Sequence, residues 1–286
     1  NKINKTNMHI ILTGGTDGIG FSAVKLFLEK GHFLYLTYRS SNKLKMLESY
    51  IDSKNLSHLV FFYKCDISEP SDIKHFISEL SKRKIFFDCL INNAGVILFE
   101  KSFNSIGLEK VFAVNHIGGF YLTKLLLDKK LINKNGKIIN VGSSAHQKAT
   151  LDFDDLDSKK TRNWYTRYSR SKLCNLLFTF ELAKKLKKKG ITVNCMHPGI
   201  VSTNIAQERI GFMQFIIKMV LKIKGISPTE GADTIIFLAT DKSVSQISGK
   251  YFVKRKICKP SPVATNNEYA IQLWKESESI VKEFKF

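Results

Sequence analysis

The stretch "MHIILTGGTDGIGFSAVKLFLEKG", residues 8–31, decides the fold. It opens with an apolar run that ends in Thr13-Gly14-Gly15, the pattern of a buried strand that enters a tight turn. Segment 19–31 then repeats apolar residues at helical spacing and stops at Gly31, which predicts a helix. A buried strand, a glycine-rich turn and a helix in direct succession indicate the first unit of a doubly wound α/β sheet.

The rest of the chain continues this alternation. Further apolar runs predict strands at 33–39, 59–66, 86–95, 136–144, 190–199 and 248–253. Helical patterns separate them, and the longest predicts a helix over 164–189. The pattern therefore predicts a Rossmann-like doubly wound parallel sheet of about seven strands, flanked by helices, in a single domain over residues 1–286.

The chain has 286 residues, 43% of them hydrophobic, with a formal net charge of +20. Such a charge fits either an anionic partner or a lysine-rich solvated surface. Because the lysines are scattered without interleaved aromatic residues, we favour the solvated surface and expect no nucleic-acid partner. The five cysteines form no C-x-x-C pair, so we expect neither a disulfide scaffold nor a bound metal.

No run approaches the roughly 18 apolar residues of a membrane span, and no signal peptide opens the chain. The cysteine pattern indicates a reducing compartment. We therefore expect a cytoplasmic location, or a membrane surface that faces a reducing compartment. The chain begins with Asn1 and not Met, which leaves room for a targeting segment or anchor ahead of it.

The glycine-rich turn "TGGTDGIG" (13–20) has the character of a phosphate site. Gly14 permits a tight turn, whereas Gly18 and Gly20 allow close backbone approach and close helix packing. The positive end of the following helix would face a pyrophosphate. An ordinary strand-to-helix turn is the alternative, but its place after the first strand favours a dinucleotide.

The end of the second strand bears on which dinucleotide binds. It reads Tyr38-Arg39-Ser40-Ser41, without the carboxylate that would hold the 2′-hydroxyl of NAD. Arg39 suits a 2′-phosphate instead, so we expect NADP(H), with NAD(H) as the alternative. A surface arginine in a basic chain is the other interpretation.

The pentapeptide "YSRSK" (168–172) places Tyr168 and Lys172 on one helix face. A lysine one turn away is expected to lower the pKa of the tyrosine, which could then exchange a proton with a carbonyl or hydroxyl group. Ser143 and Ser144 follow the fifth strand and could hold the substrate oxygen. The intervening Arg170 is expected to be a surface residue.

Taken together, these motifs resemble the short-chain dehydrogenase/reductase family. The similarity rests on "TGGTDGIG", "NNAG" (92–95), Asn115 in "FAVNHIG", "YSRSK" and "HPGIVST" (197–203). "NVGSSAHQ" (140–147) is similar to the retinol dehydrogenase and WW-domain oxidoreductase branch of that family.

The resemblance implies roles for four catalytic residues. Tyr168 would be the acid and base, and Lys172 would lower its pKa and bind the nicotinamide ribose. Ser143 would orient the substrate oxygen, with Ser144 as the second choice because Gly142 replaces the family's first serine. Asn115 would support a water that relays protons to Lys172.

The resemblance also implies a set of cofactor-binding residues. They are Gly14, Thr16, Gly18, Ile19, Gly20, Arg39, Asp66, Ile67, Asn93, Ala94, Gly95, Tyr168, Lys172 and Thr203. Asp17 departs from the family, because NADP-preferring members often carry a neutral or basic residue there.

Two segments are expected to form substrate loops, at about 145–166 and 203–226. The first carries four aspartates, which we interpret as a solvated loop. The second contains 209–225, an amphipathic pattern that fits a substrate lid, a peripheral membrane contact or ordinary packing, including packing in a homo-oligomer.

The sequence thus predicts an NADP(H)-dependent oxidoreductase that acts on an apolar carbonyl or alcohol, such as a retinal-like compound, lipid aldehyde or ketone. The alternative is a dinucleotide-binding regulator whose output is partner binding.

Overall fold

The computed structural model describes residues 7–199 and 227–284. In this part of the chain eight strands form one sheet. They are β1 (His9–Thr13), β2 (Phe33–Tyr38), β3 (Val60–Lys64), β4 (Phe87–Asn92), β5 (Ile132–Val141), β6 (Thr192–His197), β7 (Tyr251–Val253) and β8 (Lys256–Cys258).

Eight α-helices accompany these strands within the described residues. They are α1 (Gly18–Glu29), α2 (Ser41–Ser53), α3 (Pro70–Lys82), α4 (Lys110–Phe112), α5 (Gly118–Asp128), α6 (Trp164–Leu186), α7 (Pro228–Thr240) and α8 (Asn267–Lys282). A π-helical turn, Ala113–Ile117, joins α4 to α5. No helix in the described part of the chain is long and apolar enough to cross a membrane.

The strand order is β3-β2-β1-β4-β5-β6-β7-β8. Strands β1 to β7 run parallel, whereas β8 pairs antiparallel with β7. The chain order reverses between β1 and β4, which opens a crevice at the carboxyl ends of these strands. The sheet confirms the predicted doubly wound fold.

The eighth strand is the main difference from the sequence prediction of about seven. β8 contains only Lys256, Ile257 and Cys258, and it forms a hairpin with the equally short β7. Three residues are too few to show a period, and Ile257 is itself exposed, so the sequence carries no burial signal there.

Side chains from alternate positions of each strand pack into two hydrophobic layers, one on each face of the sheet. Ile10 and Leu12 of β1 pack into the layer that holds α1, α2 and α7, whereas Ile11 packs into the layer that holds α3, α5, α6 and α8. Successive strand residues point to opposite faces, so β1 must be apolar throughout. Each such buried side chain contributes roughly 1.5–3 kcal/mol of transfer free energy.

The long helix α6 carries several of the predicted site residues. It begins after Asn163, whose side chain accepts hydrogen bonds from the amides of Tyr165 and Thr166. It continues into a 3₁₀ turn, Lys187–Lys189, which ends at Gly190 in the left-handed conformation with φ 71°. The strong cap at its start holds the first turns of the helix, where Tyr168 lies.

Candidate active site

The glycine-rich turn has a backbone that other residues do not fit. Gly14 and Gly18 have φ of 69° and 53°, in the left-handed region that glycine adopts freely. A Cβ added to Gly20 would lie 2.1 Å from the carbonyl oxygen of Gly14. The turn is therefore packed against the start of α1 and presents backbone, not side chains, to the crevice.

Thr13 and Asn93 brace this turn from beneath. The Thr13 hydroxyl accepts hydrogen bonds from the amides of Asn93 and Ala94, at 3.1 and 3.0 Å. The Asn93 side chain donates to the carbonyls of Thr13 and Gly14, at 2.9 and 3.0 Å. Asn93 thus couples the end of β4 to the turn, a role that its motif did not reveal.

One cleft collects almost the whole set of residues predicted to bind a cofactor. It is lined by Gly14, Thr16, Gly18, Ile19, Gly20, Arg39, Asp66, Ile67, Asn93, Ala94, Gly95, Tyr168 and Lys172. Thr203 lies outside the described residues. The backbone cradle, the amino end of α1 and the polar far end of the cleft fit a dinucleotide.

Four side chains shape the polar far end of the cleft, which lies beside the end of β2 and the start of α2. Arg39 is exposed and follows β2, and Ser40 is the N-cap of α2 but makes no capping hydrogen bond with its hydroxyl. Asp17 caps α1 by accepting from the amide of Gly18 at 2.7 Å. Its other carboxylate oxygen lies 2.7 Å from the Lys43 ammonium. Lys43 therefore neutralises the Asp17 carboxylate, which would otherwise repel a phosphate beside Arg39.

Asp66 occupies the neighbouring wall with one oxygen already engaged. Its Oδ1 accepts from the amide and the hydroxyl of Ser68, at 2.9 and 2.7 Å. The next residue, Ile67, presses its carbonyl against α5, because a Cβ on Gly118 would lie 2.0 Å from that oxygen. Gly118 is thus required for the wall to sit where it does.

Tyr168 and Lys172 lie on one face of α6, as predicted. The Lys172 ammonium lies 5.8 Å from the centre of the Tyr168 ring and donates to the Val141 carbonyl at 3.0 Å. Lys172 is buried and has no carboxylate partner among the described residues. Burial lowers its pKa from 10.5 to about 8.

The pKa of Tyr168 corrects the sequence prediction. Burial raises it, and the hydrogen bond with the Ser143 hydroxyl opposes this rise without cancelling it. The lowering expected from Lys172 does not offset the effect of burial. Tyr168 is consequently a neutral phenol at pH 7, ready to donate its proton.

The structure brings Ser143, and not Ser144, next to Tyr168. The Ser143 hydroxyl hydrogen-bonds the tyrosine, whereas Ser144 is exposed at the start of a 3₁₀ turn. Gly142 occupies a position without room for a side chain, because a Cβ there would lie 2.7 Å from the Cys195 sulfur. Packing against β6 therefore explains the missing serine at 142.

Asn115 lies in the π-helical turn and is held from two sides. Its side chain accepts from the Val96 amide at 2.7 Å and donates to the Val96 carbonyl at 3.0 Å. It also contacts the Ser171 hydroxyl at 2.9 Å. A Cβ on Gly95 would lie 3.4 Å from the Asn115 oxygen and 3.3 Å from the Lys172 ammonium, so both groups face the same bare backbone.

His146 is a buried residue beside Ser143 that the sequence analysis did not single out. It is fully buried, and burial lowers its pKa. Its Nε2 accepts from the Ser261 amide at 3.2 Å, so Nδ1 carries the proton and donates to the Ser143 carbonyl at 2.6 Å. His146 therefore ties the catalytic loop to the C-terminal segment.

Arg167 is another residue that the sequence did not single out. It is almost completely buried, 3.3 Å from the Glu109 carboxylate. Its guanidinium also donates to the carbonyls of Leu98, Phe99 and Arg162. The pair clamps the segment after β4 against α6, one residue before Tyr168.

The loop 145–166 is more ordered than its composition suggests. Arg170, predicted to be a surface residue, is largely buried and lies 3.6 Å from Asp155. Asp155 is buried too and accepts from the Lys160 amide and the Thr161 hydroxyl, so the idea of a fully solvated acidic loop is wrong for this residue. Among the described residues, no cluster of acidic, histidine or cysteine side chains could hold a metal ion.

Comparisons with known proteins agree with this geometry. The family model "short chain dehydrogenase" matches residues 8–212. Human retinol dehydrogenase 13 is 34% identical over 278 residues, which cover 95% of this chain and 84% of that protein. Human polyprenol dehydrogenase is 32% identical over 275 residues, which cover 93% and 83%.

A solved structure shares the fold. A blue fluorescent protein from a metagenomic library, solved in complex with NADPH, has a TM-score of 0.67 at 23% identity and covers 87% of this chain and 97% of its own. At this level of identity the likeness shows the architecture alone.

Proposed function

This chain belongs to the short-chain dehydrogenase/reductase family, and we propose that it is an NADP(H)-dependent oxidoreductase acting on an apolar carbonyl or alcohol. The observation that carries the proposal is the convergence of Tyr168, Lys172, Ser143 and Asn115 beside a glycine-lined cleft. A bound nicotinamide would supply or accept the hydride. The protein's own residues handle the proton and hold the substrate.

The ionisation of the site supports reduction at neutral pH. A neutral Tyr168 hydroxyl can donate its proton to the oxygen of a substrate carbonyl as negative charge develops there. The Ser143 hydroxyl can hydrogen-bond the same oxygen and orient it. Oxidation of an alcohol needs the phenolate, which the raised pKa of Tyr168 disfavours until the pH rises.

Lys172 can return a proton to Tyr168 after each turnover. Its pKa of about 8 lies near neutrality, so it exchanges protons far more readily at this pH than an exposed lysine does. Asn115 is fixed by Val96 and faces the same side of Gly95 as the ammonium does. This arrangement supports a role for Asn115 in holding a water that relays protons to Lys172.

The preference for NADP(H) is supported by the charges at the far end of the cleft. Arg39, the uncommitted Ser40 hydroxyl and the start of α2 lie together where a 2′-phosphate needs cations and donors. The pairing of Lys43 with Asp17 removes the objection that Asp17 raises. NAD(H) remains the alternative cofactor.

An apolar substrate is supported by the cleft wall and by the relatives. Val96, Leu98 and Pro198 line the same cleft as Tyr168. The relatives at 32–34% identity are named for retinol and for polyprenol, both apolar alcohols. We extend this class of substrate to the present chain. The predicted loop at 203–226 lies outside the described residues and stays a prediction.

A reducing compartment is part of the same proposal. The five cysteines form no disulfide, and Cys65, Cys89, Cys174 and Cys195 are buried. Burial raises the pKa of each of these four thiols, which keeps them unreactive.

A screen of apolar aldehydes and ketones for NADPH oxidation by the full chain tests the proposal. We expect substrate-dependent oxidation with at least one apolar carbonyl, and weaker turnover with NADH. Arg39→Ala should weaken NADPH binding much more than NADH binding. Tight NADPH binding without turnover of any compound in the panel would contradict the proposed oxidoreductase activity and favour a dinucleotide-binding regulatory protein.

A further inference from the structure

The edge of the sheet opposite the cleft carries an unusual row of cations. Helices α3, α5 and α6 lie in one layer and all end at the amino ends of the strands. Exposed lysines follow each helix. We define the lysine edge as Lys84, Lys129, Lys130, Lys187, Lys188 and Lys189. None of these six ammonium groups forms an ion pair within residues 7–199 and 227–284.

Two acidic residues near this edge pair with other lysines. Glu79 pairs with Lys82, and Asp128 pairs with Lys124 at 3.5 Å. The lysine edge therefore keeps its full positive charge. At the opposite edge, Asp17, Asp155 and Asp157 each lie beside a cation, so charges of both signs alternate there. The lysine edge thus differs from the opposite edge in that carboxylates lie beside some of the cations there.

Two of the lysines occupy positions where glycine is the usual residue. Lys84 and Lys130 are the residues after the C-caps of α3 and α5, and they have φ of 53° and 54°. Gly31 holds the equivalent position after α1. A side chain in the left-handed region costs free energy that glycine would not incur. Lysines therefore stand at these two positions although glycine would adopt the same backbone conformation at a lower free energy.

An exposed aromatic side chain lies in the same loop. Phe86 follows Lys84, precedes β4 and is 57% exposed. Arg83, the one arginine of this loop, is occupied with the Tyr63 hydroxyl and lies 4.0 Å over the Phe61 ring. The free cations are thus all lysines, which act as point charges and lack the planar fork with which arginine reads phosphates bidentately.

We propose that the lysine edge and Phe86 form a docking face for an anionic lipid bilayer. A group of exposed point charges along one edge matches a diffuse anionic surface, and one exposed aromatic ring suits the headgroup region. The proposal is independent of the reaction. Docking in this way turns the cofactor cleft toward the solution, since the cleft lies at the carboxyl ends of the strands.

Co-sedimentation of the full chain with vesicles tests the docking face. The probes are vesicles of phosphatidylcholine mixed with phosphatidylserine, and vesicles of phosphatidylcholine alone. We expect binding to the anionic vesicles only, and loss of that binding at high salt. The triple variant Lys187→Glu, Lys188→Glu, Lys189→Glu should bind about a hundredfold more weakly.

A matched variant separates placement from net charge. Lys64→Glu, Lys148→Glu, Lys256→Glu makes the same change of charge with exposed lysines at the carboxyl edge. It should lose much less binding than the first triple variant. Equal losses would overturn the docking face, because net charge alone would then explain binding.

The aromatic residue has its own control. Phe86→Ser should weaken vesicle binding roughly fivefold, whereas Phe103→Ser, 49% exposed at a different site, should leave it unchanged. Unaltered NADPH binding by all variants verifies that they fold. Tight binding to RNA or duplex DNA with no binding to anionic vesicles would also overturn the proposal.

Discussion

Helix α6 buries two cations on successive turns, Arg167 and Lys172, and treats them differently. Arg167 faces the Glu109 carboxylate and three backbone carbonyls. Lys172 has one carbonyl, that of Val141, and the nearby Tyr168 ring. Both side chains are almost inaccessible to solvent. Charge compensation, and not burial, distinguishes them.

The difference indicates which cation serves stability and which serves chemistry. A buried charge with a counter-ion and several carbonyl acceptors holds two segments together. A buried charge without a counter-ion destabilises the fold, and its pKa moves toward neutrality. We therefore propose that Lys172 serves the reaction, whereas Arg167 stabilises helix α6.

The largest effect should come from breaking the compensated pair. Arg167→Leu leaves the Glu109 carboxylate buried without a counter-ion, so we expect a loss of about 3–5 kcal/mol in the free energy of unfolding. Urea unfolding measures it. Replacing Glu109 by Gln in the same chain should recover part of the loss, and exposed Arg162→Leu should change stability by less than about 0.5 kcal/mol. An unchanged free energy of unfolding for Arg167→Leu would contradict a stabilising role of the pair.

The uncompensated cation should show itself in the pH dependence of stability. The pKa of Lys172 is about 8 in the folded chain and 10.5 when exposed. Between these values the unfolded chain binds more protons, so this group makes stability rise with pH there. Below pH 8 both states are charged and the full cost remains, about 3 kcal/mol.

Lys172→Met removes that cost. Its stability advantage over the wild type should therefore shrink by about 3 kcal/mol between neutral pH and pH 10.5. Unfolding in urea across this range, with exposed Lys189→Met as the control, measures the difference. An advantage that does not change with pH would show that Lys172 is compensated after all.

A smaller effect should separate the paired Asp17 and Lys43 from Arg39. Lys43→Met leaves the Asp17 carboxylate unneutralised beside the proposed 2′-phosphate site, so NADPH binding should weaken about tenfold while NADH binding changes little. In an Asp17→Asn background the same substitution should matter less. Titration calorimetry of the four proteins measures the coupling, and an identical loss in both backgrounds would contradict it.

The smallest effect should follow from releasing the catalytic loop. His146→Leu removes one hydrogen bond to the Ser143 carbonyl, and kcat should fall about fivefold, the equivalent of one hydrogen bond, with KM for the cofactor unchanged. The exposed His75→Leu serves as the control. His146→Asn, which keeps a donor, should recover part of the rate. Loss of stability with kcat intact would mean that His146 only packs.

Local patterns were enough to predict the fold and much of the candidate site. The turn after β1, the alternation of strands and helices, and the shared face of Tyr168 and Lys172 depend on residues close in sequence. Arg167 with Glu109, and His146 with Ser261, join residues that are 58 and 115 positions apart, and neither pair belongs to a local motif. The direction of the pKa shift of Tyr168 could not be predicted from the sequence either, because it depends on how deeply the tyrosine is buried. That residues 1–286 form one domain stays a prediction.

The rate of NADPH-dependent carbonyl reduction by Tyr168→Phe tests the central claim most directly. The variant lacks only the hydroxyl, so NADPH should bind as before while turnover falls by at least about a hundredfold. Tyr165→Phe, an exposed tyrosine one turn earlier on α6, should keep the wild-type rate. Wild-type turnover by Tyr168→Phe would contradict the assignment of Tyr168 as the proton donor.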